Sequence, residues 1–218
     1  MKIHLMNFKN NHIIFLILML IMQTSHCFAF EFTEDKDIDE EDVWELNLED
    51  NISYPSIPQS FHSVIKKNIE KQYKNLKKQG YNVSLVRNDE VIKIVLSVDE
   101  IFKTNTSEVS AHNCEKYLNP IIPYLKITDL YRVIFTIHHD NSLNSSDADQ
   151  LTQARVFSVI DWLQLKHQNA KNIIPYSMGN EDPITMDRSK KAQKKNRRLE
   201  IYIIPGKLMV ELANENKL

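Results

Sequence analysis

The sequence predicts an α+β sandwich in which helices pack on one face of a mixed β-sheet. Three observations lead there. Within residues 61–80, Val64, Ile65, Ile69, Tyr73 and Leu76 recur near helical spacing while lysines occupy the other side. Two apolar runs, 81–86 and 91–98, flank the polar turn Arg87-Asn88-Asp89-Glu90, a hairpin signature. From that hairpin onward, helical and strand patterns alternate as far as a last strand at 199–204.

The elements follow in order. Lys2 and Lys9 precede ten apolar residues at 13–22, then Gln23-Thr24-Ser25-His26-Cys27-Phe28-Ala29. Ten residues suit the core of an export signal and are too few to cross a hydrocarbon layer of about 30 Å. Residues 1–29 therefore read as a signal peptide, cleaved after Ala29 in the simplest case. Lipidation of Cys27 is the alternative, and a lipid there would be the chain's only membrane contact. Residues 30–60 read as an acidic flexible linker: eleven acids stand against Lys36 over 31–50, with too little apolar surface to offset ordering. Val43, Trp44, Leu46 and Leu48 form a short apolar motif inside it, suited to a partner.

Residues 61–80 are the helix leading into a domain at 81–205. Ser60 supplies an N-cap and Gly80 a C-terminal stop. After the hairpin comes a helix over 110–125, which Pro120 and Pro123 kink or break. A strand at 132–137, a helix at 149–167, a short apolar piece at Ile173-Ile174 and the strand at 199–204 complete the domain, and 206–218 is left as a tail. Cys114 has no internal disulfide partner once the signal is removed and reads as a helix residue packed on the sheet.

One constellation carries chemistry. Asp140 stands where the strand at 132–137 ends, and Arg155 follows fifteen positions later in the first turns of the next helix. A strand end, a short polar loop and a helix start bring two such side chains to one mouth. A carboxylate beside a guanidinium suits a zwitterion, ammonium to one and carboxylate to the other.

The residues around this pair resemble the OmpA-like peptidoglycan-binding domain of outer-membrane anchors, peptidoglycan-associated lipoproteins and flagellar stator proteins. Ile137-His138-His139-Asp140, then Asp149-Gln150-Leu151-Thr152-Gln153-Ala154-Arg155, resemble its G-H-T-D and N-x-x-L-S-x-x-R-A motifs. Gly179-Asn180-Glu181-Asp182-Pro183-Ile184 resembles its G-E-x-x-P-I turn, and Asn196-Arg197-Arg198-Leu199-Glu200-Ile201 its closing N-R-R-V-E-I strand. Residues 94–102 resemble its first strand, and Ala148 stands where the family usually has asparagine. The resemblance implies non-covalent binding of peptidoglycan through the diaminopimelate of stem peptides. Asp140 would take the ammonium and Arg155 the carboxylate, with His138 supporting the loop, Asp149 standing in for the asparagine and Arg197 reinforcing the pocket's positive side or pairing with a nearby acid. It further implies the periplasm or outer membrane of a Gram-negative bacterium. The alternative is a structural component of an envelope-spanning complex, of type IVB secretion or stator type, that docks mainly on proteins.

Other classes find no support. The sequence lacks a G-x-S-x-G elbow, a P-loop and an H-E-x-x-H motif, and its three glycines are too few for a phosphate cradle, so neither an enzyme nor a cofactor is expected. His138 and His139 are neighbours on a strand and point to opposite faces, which argues against a shared metal. The net charge is −2. Seven bases at 188–198 come without the aromatics that stack nucleic-acid bases, so no nucleic-acid partner is expected.

Overall fold

The computed structural model describes residues 42–218. The signal-peptide reading of 1–29, Cys27 included, and the linker up to residue 41 lie outside the described residues.

Strands β1 (Val83–Val86) and β2 (Val91–Ser97) form the expected hairpin, closing from Val86↔Val91 to Val83↔Ile94. Its turn places three successive non-glycine residues, Arg87, Asn88 and Asp89, at positive φ (49, 51 and 66°), the left-handed turn that matches strand twist. Strand β3 is Tyr131–His138, β4 is Ile174–Ser177 and β5 is Arg198–Pro205. They assemble in the order β1-β2-β5-β3-β4, with only β3 and β4 parallel. A parallel pair needs a crossover, and the helix between β3 and β4 supplies it. Strand β5 lies between β2 and β3, and every one of its residues is buried.

Before the hairpin lie helices α1 (Leu48–Ser53) and α2 (His62–Lys78); α3 (Val98–Ile101) and α4 (Ala111–Leu118) follow it. Then come α5 (Ser145–Lys166), α6 (Lys190–Asn196) and α7 (Lys207–Asn214). The α2, α4, α5 and α7 helices put Ile65, Ile69, Leu118, Val159, Leu163 and Met209 against Ile94, Phe135, Ile137 and Ile201 of the sheet. Each large side chain taken from water there contributes about 1.5–3 kcal/mol. Cys114 is buried in this layer, as its helical position suggested.

Three differences from the sequence reading have physical causes. The helix predicted over 110–125 stops at Leu118 and continues as a 3-10 helix, Asn119–Leu125, because neither Pro120 nor Pro123 can donate to an α-helical ladder. The tail at 206–218 contains α7, whose Met209 and Ala213, four apart, are buried. The flexible-linker reading does not hold for 42–60: Ile57 packs on the helix-side core, and residues ahead of it cover the second face of the sheet. There Val43, Leu48 and Ile52 meet Ile134, Ile174, Tyr202 and Ile204. Asn47 caps α1 by accepting from Asp50 N at 2.9 Å. Asn51, fully buried, donates to Val43 O (2.5 Å) and Tyr176 Oη (2.7 Å) and accepts from Arg132, which also donates to Tyr54 O at 2.5 Å. Arg87 donates to Ile52 O at 3.0 Å. The partner of the apolar motif is the chain's own sheet, although Trp44 stays half exposed.

Candidate ligand-binding site

The end of the sheet where β3 stops and β5 begins gathers four charges. His138 pairs with Arg198 in register, so Asp140, two residues past β3, lies beside Arg197, one residue before β5. Strand β2 ends at Ser97 opposite the same Arg198, which places Asp99 of α3 on the other side of Arg197. Arg155 reaches the cluster from the third turn of α5. A cavity of about 570 Å³ opens here, lined among others by Asp99, Phe102, Asn105, Arg155, Lys190 and Arg197.

Arg197 bridges the two acids. Its Nε and Nη2 donate to the two oxygens of Asp99 at 2.8 Å each, and its Nη1 donates to Asp140 Oδ2. Hydrogen bonding to Asp99 holds its guanidinium above the ordinary arginine range, and the same bond holds the Asp99 carboxyl below the usual carboxylate range. Asp140 is buried. Burial works to raise its carboxyl, but hydrogen bonds from Ser142 (backbone N at 2.9 Å) and Arg197 outweigh this and keep it low.

Arg155 is held differently. Its Nε donates to Thr106 O at 2.9 Å and its guanidinium lies 5.3 Å from the Phe102 ring centre. Its Nη1 is buried and has no hydrogen-bond partner among the described residues. A buried donor left unpaired costs about 1–3 kcal/mol, more for a charged group, so the site gains when an acceptor arrives. Burial lowers the Arg155 pKa to about 10 against the pull of nearby Asp99.

The structure thus brings together Asp140, Arg155 and Arg197 of the predicted residues. Asp140 is joined to Arg197, and its carboxylate is the buried member of the acid pair, while Asp99 lines the cavity. The other two predicted residues fall elsewhere. His138 is on the second face of the sheet with Thr136 (3.2 Å), Glu200 (3.8 Å) and Asp182 (3.7 Å), because strand alternation turns it from the helix side. Burial, with Arg198 close by, lowers its pKa to about 4. Asp149 sits exposed in the second turn of α5 against the turn at Gly179. That glycine has φ +46°, and a Cβ added to it would come within 1.9 Å of Asp149 Oδ1. Ala148 is wholly buried, so the position has a packing task.

Asp99 was not singled out in the sequence. It lies next to Arg197 only because of the β2–β5 register, which no local spacing reveals. Its one signal is an acid directly after an apolar strand whose end faces the same edge as Asp140.

Residues 101–197 match the OmpA family model. The chain carries an OmpA family domain. Among solved structures, a MotB-like protein from Desulfovibrio vulgaris superposes with a TM-score of 0.57 at 13% identity, covering 66% of this chain and 94% of that one. The cell wall anchor of the T6SS from Pseudomonas aeruginosa superposes with a TM-score of 0.51 at 21% identity, covering 63% of this chain and 96% of that one. Both share the fold. No curated protein matches the sequence. The matched OmpA segment contains Asp140, Arg155 and Arg197, while Asp99 lies two residues before it.

Proposed function

We propose that the OmpA domain binds peptidoglycan non-covalently and holds this chain to the wall in the periplasm of a Gram-negative bacterium. The observation that carries this reading is the unpaired, buried Nη1 of Arg155 beside the cavity. The site carries charges of both signs, Asp99 and Asp140 against Arg155, Arg197 and Lys190, an arrangement that offers partners to both ends of a zwitterion. The side-chain end of diaminopimelate in a stem peptide is such a group. Its carboxylate meets Arg155, and its ammonium meets the acids that Arg197 bridges, entering at Asp99. Each charge-assisted hydrogen bond contributes about 1.5–3 kcal/mol net, giving a single site of roughly micromolar to millimolar affinity. A polymer with many equivalent sites then retains the protein through effective concentration. The family match, and a similar fold in a T6SS cell wall anchor, support the reading.

The test is co-sedimentation of the full chain with isolated sacculi. The wild-type chain is expected in the pellet and Arg155→Ala in the supernatant, with Asp140→Ala weakened because Arg197 loses one of its two anchors. Pelleting of Arg155→Ala at the wild-type level would overturn the pocket. The second reading, docking on proteins of an envelope complex, draws on Phe157 (48% exposed) and Leu165 (86% exposed), apolar side chains that α5 turns to solvent. It gains if the wild-type chain stays in the supernatant.

A further inference from the structure

A second cavity, of about 410 Å³, lies on the other side of the turn from β2 into α3. Tyr81, Asn82, Val95, Ser97, Glu100 and Tyr117 are among its lining residues. It exists because β1 is shorter than β2. The β1 strand starts at Val83, opposite Ile94, and the last bond on that side runs from Val95 N to Asn82 O at 2.9 Å. Beyond it the edge of β2 is open. Val98 N donates toward β5, to Arg197 O at 3.1 Å, so by strand alternation the N–H of Ser97 points the opposite way, to the open side. The Ser97 Oγ is buried and without a hydrogen-bond partner among the described residues. Two groups of one residue therefore stand ready at the cavity wall, in a fold where such groups are ordinarily satisfied.

The surroundings define what fits. Tyr81 Oη donates to Lys116 O (3.2 Å) and Tyr117 O (3.4 Å), which fixes one aromatic wall. Lys116 Nζ donates to Tyr117 Oη at 3.2 Å and lies 4.7 Å from that ring's centre, which steadies the other. Asn82 and Glu100 add an amide and a carboxylate at the rim. The open edge is too short for an added strand, which typically runs about 5–6 residues. The volume lies within the range of roughly 300–1,000 Å³ usual for small-ligand sites. An N-acetylated hexosamine matches each part: its acetamido carbonyl accepts from Ser97, its hydroxyls meet Asn82 and Glu100, and its C–H face lies on a tyrosine ring.

We infer that this second cavity is a sugar subsite for the glycan of the same polymer, an inference that rests on the peptidoglycan reading above. Ser97 and Glu100 line one cavity and Val98 and Asp99 the other, so the two share a wall one turn of chain thick. A stem peptide hangs from a hexosamine, and a ligand carrying both parts can reach from one cavity to the next.

Calorimetric titration of the full chain separates the two claims. The probes are the free stem peptide and the disaccharide–peptide released from sacculi. The wild-type chain is expected to bind the disaccharide–peptide about tenfold tighter than the peptide, the gain of one further well-made contact set. Tyr117→Ala and the surface variant Glu100→Gln should bring that ratio to one while leaving peptide affinity unchanged, which also reports an intact fold. Arg155→Ala should abolish both. Equal wild-type affinity for the two probes, or an unchanged ratio in both variants, overturns the sugar subsite and leaves the peptide site standing. Binding of neither probe by the wild-type chain overturns the peptidoglycan reading itself.

Discussion

On the helix side, the sheet offers Ile94, Leu96, Phe135, Ile137, Leu199 and Ile201, an apolar surface throughout. On the other side the same strands offer Ile134, Tyr202 and Ile204 along most of their length, but Thr136, His138, Arg198 and Glu200 near the site. Both surfaces are buried, yet by different means. Helices close the first through shape and area. The second is closed by residues 43–52 and by a ladder of charges: Arg198 Nε donates to Glu200 Oε1 (2.7 Å), Lys93 pairs with the same oxygen (2.7 Å) and Tyr202 donates to Oε2 (2.6 Å). Burial without this pairing would be costly for each ion, so the second face depends on protonation and the first does not.

The sharpest way to break the first face is Phe135→Ala. Phe135 is fully buried at the centre of the apolar layer, and the loss should be about 3–5 kcal/mol by denaturant unfolding, with no dependence on pH between 4 and 7. A loss below about 1 kcal/mol would mean that the layer collapses around the gap.

Acid should act on the second face instead. Burial depresses the His138 pKa from 6.5 to about 4, so the folded chain favours neutral imidazole. That contribution is whole above pH 6.5 and drains away as the pH falls toward 4, on the order of 3 kcal/mol for a shift of this size. Burial works to raise the Glu200 carboxyl, but hydrogen bonds from Arg198, Lys93 and Tyr202 bring it down to about 2. Its contribution is complete above pH 4.5 and is lost as the pH falls toward 2. Unfolding curves at pH 7, 5 and 3 should show both legs, and His138→Asn should remove only the upper one. A flat profile from pH 7 to 4.5 in the wild-type chain would contradict a buried neutral histidine.

The smallest effect tests the covering segment. Asn51→Ala leaves Arg132 and Tyr176 without their shared partner and should cost about 1–3 kcal/mol. Limited proteolysis should then cut within residues 42–60 while amide exchange in β3 and β5 stays slow. Faster exchange in those strands would show that the segment is part of one cooperative unit with the sheet.

The contrast between the faces also explains what the sequence made legible. The β3, α5 and β5 segments carry long apolar patterns, and Asp140 and Arg197 lie just beyond the strand ends with Arg155 midway along α5, so the fold and the meeting of these side chains were legible there. Residues 42–60 could not, because three apolar anchors are spread through an acidic stretch and their polar partner, Arg132, lies far along the chain. The joining of Asp140 to Arg197, and the arrival of Asp99, depend on strand register, a property of pairs that one strand's sequence does not hold. Helix α7 was within reach: Gly206 precedes it as N-cap, and Met209 and Ala213 mark its inner side.

The fastening at Asn51 has a mechanical corollary. Tension arriving along the backbone ahead of Val43 meets the knot of Asn51, Arg132 and Tyr176 before it can reach any strand ladder. If that knot opens first, the five strands, and the candidate site where β3 ends, keep their own ladders and ion pairs.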